Sequence, residues 1–344
     1  MIVLKPLILF FAKSQLCAIM TNMDGLLLSK KTSIALKGIL CIFVLLHHLL
    51  RVDNVFIDSI LNLLGPLAVG GFFLLSGYGL IVNYKQYGLD YVKKILFKKI
   101  PILYLIIIIT NMFYLALYVS TVSSELSIEN IITSVLYLSF FNSFIPLNSW
   151  IYFIADLIIY YLVFAIVFGL IGLVNKVKNK AKTGAIIHFI FVLVIFVLLS
   201  CMFQEPLAQR AIFCFSLGVF AGAFEDSISS FCVKYRLLFV AVLCVLLALL
   251  FMWVNFELVE EQILPLIFCL LLMASFNQID FQNKAILFVG KISLYIYLSH
   301  GFFFKLFNSI YTFSSLQSLL LVSICSILLS TGIYLIKKIK KTRA

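Results

Sequence analysis

The chain has 344 residues, of which 64% are hydrophobic and only 12% charged, and its mean hydropathy is +1.16. Such figures exclude a water-soluble globular domain and point to an integral membrane protein. The net charge of +12 is not the footprint of a nucleic-acid binder: the Lys and Arg residues cluster in short connecting segments, the pattern that orients membrane helices.

A bilayer core of about 30 Å needs roughly 20 apolar residues per helix, and apolar runs of that length recur along the chain. Continuously apolar stretches such as "ILYLIIIITNMFYLALY" do not alternate as barrel strands must, so the fold class is all-α, a polytopic transmembrane helical bundle. Residues 1–30 are broken by Lys5, Pro6 and Lys13 and read as an N-terminal extension, either an interfacial helix or a segment upstream of a true start at Met23. Residues 31–344 form one transmembrane domain. Ten spans are expected, near 34–52, 62–83, 100–119, 151–173, 185–202, 209–224, 236–254, 262–276, 285–306 and 316–336. Residues 130–146 are an eleventh candidate. The basic segments at 30–32, 85–99, 175–182 and 337–343 should all face the cytoplasm. They do so together only if 130–146 is re-entrant or lies along the outer surface, which puts both termini in the cytoplasm. The eight cysteines are scattered, without the spacing of a metal site, and read as packing residues.

The first span, "ALKGILCIFVLLHHLL" (35–50), carries three ionisable residues. Eleven helical positions amount to about 1100°, so Lys37 and His48 share a face with about 16 Å of axial rise between them, and His47 points about 100° away. Lys37 alone could be a snorkelling anchor, but ionisable groups at depth usually face a cavity or a partner. His300, in "GKISLYIYLSHGFFF", lies about as far into the ninth span as His48 into the first, so the two histidines could share one layer. The second span, "GPLAVGGFFLLSGYGLI", sets Gly70, Gly71, Ser76 and Gly77 close together. Such residues either let helices approach or leave a gap for a thin, extended ligand. In "NSWIYFIADLIIYY", Trp150 suits an interfacial belt, and Asp156 at depth needs a cationic or hydrogen-bonding partner.

These stretches resemble acyltransferase family 3, which includes bacterial O-acetyltransferases of cell-surface polysaccharides. Lys37, Gly38 and His48 match the family's basic residue, Gly and His eleven positions on, with Lys replacing the commoner Arg. "VGGFFLLSGYGL" (69–80), "NSWIYFIADLIIYY" and "ISLYIYLSH" resemble three further family segments in the same order, and the lysines before Pro101 stand for the family's basic cluster. The resemblance implies transfer of an acyl group, most often acetyl, from cytoplasmic acyl-CoA to a hydroxyl of an extracytoplasmic carbohydrate, in the cytoplasmic membrane of a bacterium. It implies no bound cofactor and no metal. On this reading Lys37, Lys98 and Lys99 hold the CoA phosphates, and the pantetheine arm passes Gly70, Gly71, Ser76 and Gly77. His48 is the base or acyl carrier, His300 the second base, and Trp150 and Asp156 complete the substrate site. The partners are the lipid bilayer, acyl-CoA and a surface saccharide, with room for a separate extracytoplasmic transfer protein and none for nucleic acid. The rival reading is a transporter or flippase of a lipid-linked sugar with the histidines as a proton relay. Such a protein is often expected to show repeats with broken helices, and the sequence shows none. A polysaccharide polymerase would more naturally carry a large charged loop.

Overall fold

The computed structural model describes residues 28–121, 127–137, 148–174, 176–202, 211–251, 259–275, 283–311 and 313–343. The extension expected over residues 1–30 therefore lies almost wholly outside the described residues. Within them the chain is helical, without strands. The helices are α1 (Lys30–Leu49), α2 (Val55–Lys94), α3 (Ile100–Thr121), α4 (Ile128–Val135), α5 (Tyr152–Leu173), α6 (Lys180–Met202), α7 (Ile212–Ala223), α8 (Glu225–Phe251), α9 (Leu264–Ser275), α10 (Lys284–Ile310) and α11 (Ser315–Arg343). A π-helical turn (Ile95–Lys99) leads into α3 and a 3-10 turn (Ser149–Ile151) into α5.

A helix lies at each of the ten expected positions. Six helical runs among the described residues are long and apolar enough to cross a bilayer, or seven if α7 and the start of α8, bent by 94° at their junction, make one span. The number is below ten for physical reasons. The second and third expected spans are joined in one helical run, Val55–Ser120, and α7 and α9 have only 12 residues each, about 18 Å at 1.5 Å per residue. The eleventh candidate begins as α4, whose eight residues reach about 12 Å, too short to span. Residues 138–147 lie outside the described residues.

Polar residues start the helices where the sequence turns apolar. The Ser29 hydroxyl accepts from Thr32 N (3.0 Å) at α1. Asn54 Oδ1 accepts from Ile57 N (3.1 Å) at α2, and Asn283 Oδ1 from Ala285 N (2.9 Å) and Ile286 N (3.2 Å) at α10. Each satisfies an N–H group that a helix start leaves unpaired. Within α2, Gly88 sits at φ 57° and ψ −135°, a backbone state that only glycine adopts cheaply, and it interrupts the 40-residue helix after its apolar part.

Two close backbone contacts organise the bundle. A Cβ on Gly77 of α2 would stand 2.2 Å from the Phe215 carbonyl oxygen of α7, and one on Gly218 would stand 2.1 Å from that of Leu74. A Cβ on Gly38 of α1 would meet Ile286 O of α10 at 2.4 Å, and one on Gly290 would meet Ile34 O at 1.8 Å. In lipid, where no solvent drives apolar faces together, such close approach is how helices bind. The atoms in the way are backbone, so a methyl group has nowhere to go. Gly218→Ala is expected to destabilise the fold by about 1–3 kcal/mol, read as a lower melting temperature in detergent. Gly79→Ala, where the space is open, should leave the melting temperature unchanged or raise it.

The junction of α7 and α8 is closed by an ion pair between a buried carboxylate and an exposed lysine. The Glu225 carboxylate, 4% exposed, accepts from Lys85 Nζ of α2 at 3.2 Å and from the Tyr78 hydroxyl. Lys85 also donates to Gly222 O (3.2 Å). The 94° bend is thereby tied to α2, and the buried carboxylate is compensated where an unpaired charge would be costly.

Candidate functional site

The Gly38/Gly290 contact sets α1 and α10 in register, and ten residues further along each helix stand His48 and His300. Equal spacing from a shared contact means the helices run parallel, with the second contact about 15 Å beyond the first. The two imidazole centroids are 5.3 Å apart, inclined by 27°. Both rings stack on Trp150: His48 at 4.8 Å and 10°, His300 at 5.0 Å and 18°. Rings on opposite faces of one indole would be about 7 Å apart, twice a van der Waals contact. At 5.3 Å, His48 and His300 share one face of Trp150 and form a side-by-side pair.

His300 is fully buried, and its Nδ1 lies 2.6 Å from the Tyr297 carbonyl oxygen. A carbonyl only accepts, so Nδ1 carries a proton, and in the neutral form of the ring the lone pair is at Nε2. That Nε2 is buried without a hydrogen-bond partner among the described residues. This is the arrangement of a base held in one tautomer with its basic atom available.

His47 is used differently. Its Nδ1 lies 3.2 Å from Leu61 O of α2, and its ring rests where a Cβ on Gly65 would be, 2.6 Å from the ring carbon Cδ2. The two adjacent rings meet edge to face at 4.6 Å between centroids, but His47 turns its Nδ1 to the α1/α2 packing contact while His48 stacks on Trp150.

Trp150 is seated from several sides. The Tyr297 hydroxyl donates to Trp150 O (2.5 Å). Asn148 Oδ1 accepts from Trp150 N (3.3 Å). Phe304 packs on the indole at 5.6 Å between centroids. A Cβ on Gly301 would lie 2.0 Å from Trp150 Cε3 and 2.3 Å from the Tyr114 hydroxyl oxygen. Asp156, 6% exposed on α5, lies within electrostatic reach of the hydroxyls of Tyr137, Tyr160 and Tyr297.

Toward the other end of the pair, Lys37 is half-buried on α1 and close enough to Lys99 for the two cations to repel. Lys99 Nζ donates to the Tyr91 hydroxyl (2.5 Å) and stands over the rings of Tyr91 (4.7 Å) and Tyr161 (5.8 Å). The Tyr161 hydroxyl bonds the Ser76 side chain. Lys98 points away and is exposed, so of the two adjacent lysines only Lys99 faces Lys37.

The glycines expected along a donor path are packing contacts. The Cβ positions of Gly70, Gly71 and Gly77 are closed by Pro265 and Cys214, by the Leu40 side chain, and by the Phe215 backbone, respectively. The small-residue surface seats α1, α7 and α9 on α2. Sequence reasoning passed over Tyr297, Asn148, Asn111, Tyr114 and Gly301, which surround Trp150. It also passed over His188, fully buried among Phe164, Phe168 and Phe215 with Nδ1 3.3 Å from Ser216 Oγ. A glycine directly after the second histidine was the one signal in the sequence that pointed to the indole seat. Among the described residues no cluster of His, Cys, Asp or Glu could hold a metal ion.

A helical membrane bundle that sets a pair of imidazoles against an indole, with a cluster of lysines at one end, defines a multi-pass membrane protein with the equipment of a group-transfer enzyme. The chain belongs to the acyltransferase 3 family: the family model, described as an acyltransferase domain, matches residues 33–336, most of the chain. It is a membrane acyltransferase. No curated protein and no solved structure gave a significant match.

Proposed function

We propose that this protein moves an acyl group, acetyl as the simplest case, from acyl-CoA on the cytoplasmic side of the cell membrane to a hydroxyl of an extracytoplasmic carbohydrate. The observation that carries the reading is the His48/His300 pair on one face of Trp150, with His48 on the same face of α1 as Lys37 and about 16 Å further along it. Lys37 and Lys99 supply the positive charge for the phosphates of CoA, lysine acting as a point charge where arginine would grip with a planar fork. The thioester reaches the imidazole layer at the far end of α1. There, one imidazole takes the proton of the acceptor hydroxyl, whose oxygen attacks the acyl carbon. The carbon–sulfur bond breaks and the proton passes to the departing CoA thiolate, so no cofactor is consumed. Asp156 and Trp150 line the acceptor side. An aromatic surface beside a base suits a sugar ring, and both termini then lie in the cytoplasm.

The test is to reconstitute the protein in membrane vesicles with acetyl-CoA and surface polysaccharide and follow release of free CoA. Ester groups on surface glycans are compared by mass spectrometry with and without the gene. Stoichiometric CoA release that depends on both substrates supports the reading, and acceptor-independent release or none overturns it. In this assay Lys37→Ala is expected to raise the apparent KM for acyl-CoA about tenfold while Lys37→Arg stays near wild type. An unchanged KM removes Lys37 from the donor site.

A further inference from the structure

We propose that Asn111 and Asn148 form a positioning pair that fixes Trp150, and through it the two imidazoles, so that the pair controls turnover in acyl transfer while leaving donor affinity alone. The inference rests on the acyl-transfer reading for its kinetic consequence and on hydrogen-bond geometry for its structural one.

Both asparagines are almost fully buried, Asn111 at 2% and Asn148 at 3% exposure. Burying a carboxamide costs free energy unless its groups are paired, and here the pairing has a direction. Asn111, on α3, donates from Nδ2 to Ser134 O (2.9 Å) and Val135 O (3.3 Å), carbonyls at the C-terminal end of α4, where Ser134 O also accepts from Tyr137 N (3.3 Å). Its Oδ1 accepts from Asn148 Nδ2 at 3.4 Å. Asn148 in turn accepts the Trp150 N–H on its own Oδ1 (3.3 Å), as the cap of the 3-10 turn that carries the indole. A line of amide-to-carbonyl bonds therefore runs from α4 through α3 to the backbone nitrogen of Trp150.

On the other side of the same residue, the Tyr297 hydroxyl holds the Trp150 carbonyl, and Tyr297 lies one turn before His300, whose Nδ1 it holds through its own carbonyl. The N–H and C=O of Trp150 are thus fixed from opposite directions. The indole itself is confined by the missing side chain of Gly301. Neither asparagine is shown touching the imidazoles. Their effect on chemistry passes through the position of the ring on which both imidazoles stack, and a displacement near 1 Å at a reacting centre can cost about a hundredfold in rate.

The test uses the full-length protein with Trp253→Phe, which leaves Trp150 as the sole tryptophan, since the sequence contains two. Asn148→Ala is expected to lower kcat about ten- to hundredfold, to leave the KM for acyl-CoA within about twofold, and to change the emission maximum and acrylamide quenching of Trp150. Asn148→Ser restores a good helix-start acceptor and should recover most of the kcat together with the wild-type emission. Should Asn148→Ala not fold, Asn111→Ala carries the same test, because it keeps the cap and removes only its support. A fall in kcat with Trp150 emission unmoved overturns the proposal, as does a shifted emission with kcat intact. If the wild type transferred no acyl group at all, the functional reading would fall, while the emission measurements would still decide whether the asparagines hold Trp150.

Discussion

His48→Ala and His300→Ala are each expected to abolish acyl transfer, by at least a hundredfold, while His47→Ala keeps most of it. General acid–base catalysis by a positioned side chain contributes about 10²–10⁴-fold, and both imidazoles of the pair lie where that contribution would be made. His300 presents Nε2 with its tautomer fixed by Tyr297 O. His48 faces it 5.3 Å away across the same face of Trp150. His47, one residue earlier, is spent on packing against Leu61 and Gly65, so its removal should lower the melting temperature more than the rate. The measurement is CoA release by protein of equal folded fraction, judged by size exclusion and thermal unfolding. Equal losses in His47→Ala and His48→Ala would defeat the assignment by helical face. An active His300→Ala would leave His48 as the one base and reduce its neighbour to a packing residue.

The double mutant His48→Ala/His300→Ala adds information. If the two imidazoles serve one proton path, removing both should cost little more than removing either, since residues that act as a unit are strongly non-additive. Independent roles would multiply the losses.

Helical arithmetic was enough to separate His48 from His47 and to place His48 at the depth of His300, because both conclusions need only the 3.6-residue period and a count from each helix start. Those quantities are local, and the sequence carries them. The glycines were harder. A run of small residues reads identically whether it seats a helix or opens a passage, and the helix contacts, α7 behind Gly77 and Pro265 behind Gly70, depend on segments far away in the chain. The bounds of the spans were hard to read for a related reason: apolar runs do not reveal where a helix continues through a connection, as α2 does through a π-turn into α3, or where it bends sharply, as at Glu225. Asn111 and Asn148 were illegible as a pair because 37 residues separate them and buried amides have no periodic signature. Tyr297 lay within the stretch read for His300, yet its hydroxyl bonds the backbone carbonyl of Trp150, 147 residues away.

Gly301→Ala is expected to cost at least a hundredfold in acyl transfer for a change of one methyl group. At most glycines in this chain an added Cβ meets a neighbour, but what meets it differs, and the differences rank the outcomes. At Gly65 the obstruction is the edge of the His47 ring at 2.6 Å, a side chain that can turn aside, so Gly65→Ala should leave most activity. At Gly301 the obstruction is Trp150 Cε3 at 2.0 Å with the Tyr114 hydroxyl oxygen at 2.3 Å behind it. The indole cannot retreat along its backbone, which Asn148 and Tyr297 hold at N–H and C=O, so it must tilt, and both stacked imidazoles move with it. The stability cost should be that of overpacking, about 1–3 kcal/mol, small enough for the protein to fold at reduced temperature. Measured there, Gly301→Ala should show a low kcat, an acyl-CoA KM close to wild type, because the lysine cluster lies at the other end of α1, and an altered Trp150 emission. Retained kcat would mean that the chemistry tolerates a displaced indole, and the imidazole pair would then have to be positioned by α1 and α10 alone, through the Gly38/Gly290 contact that sets their register.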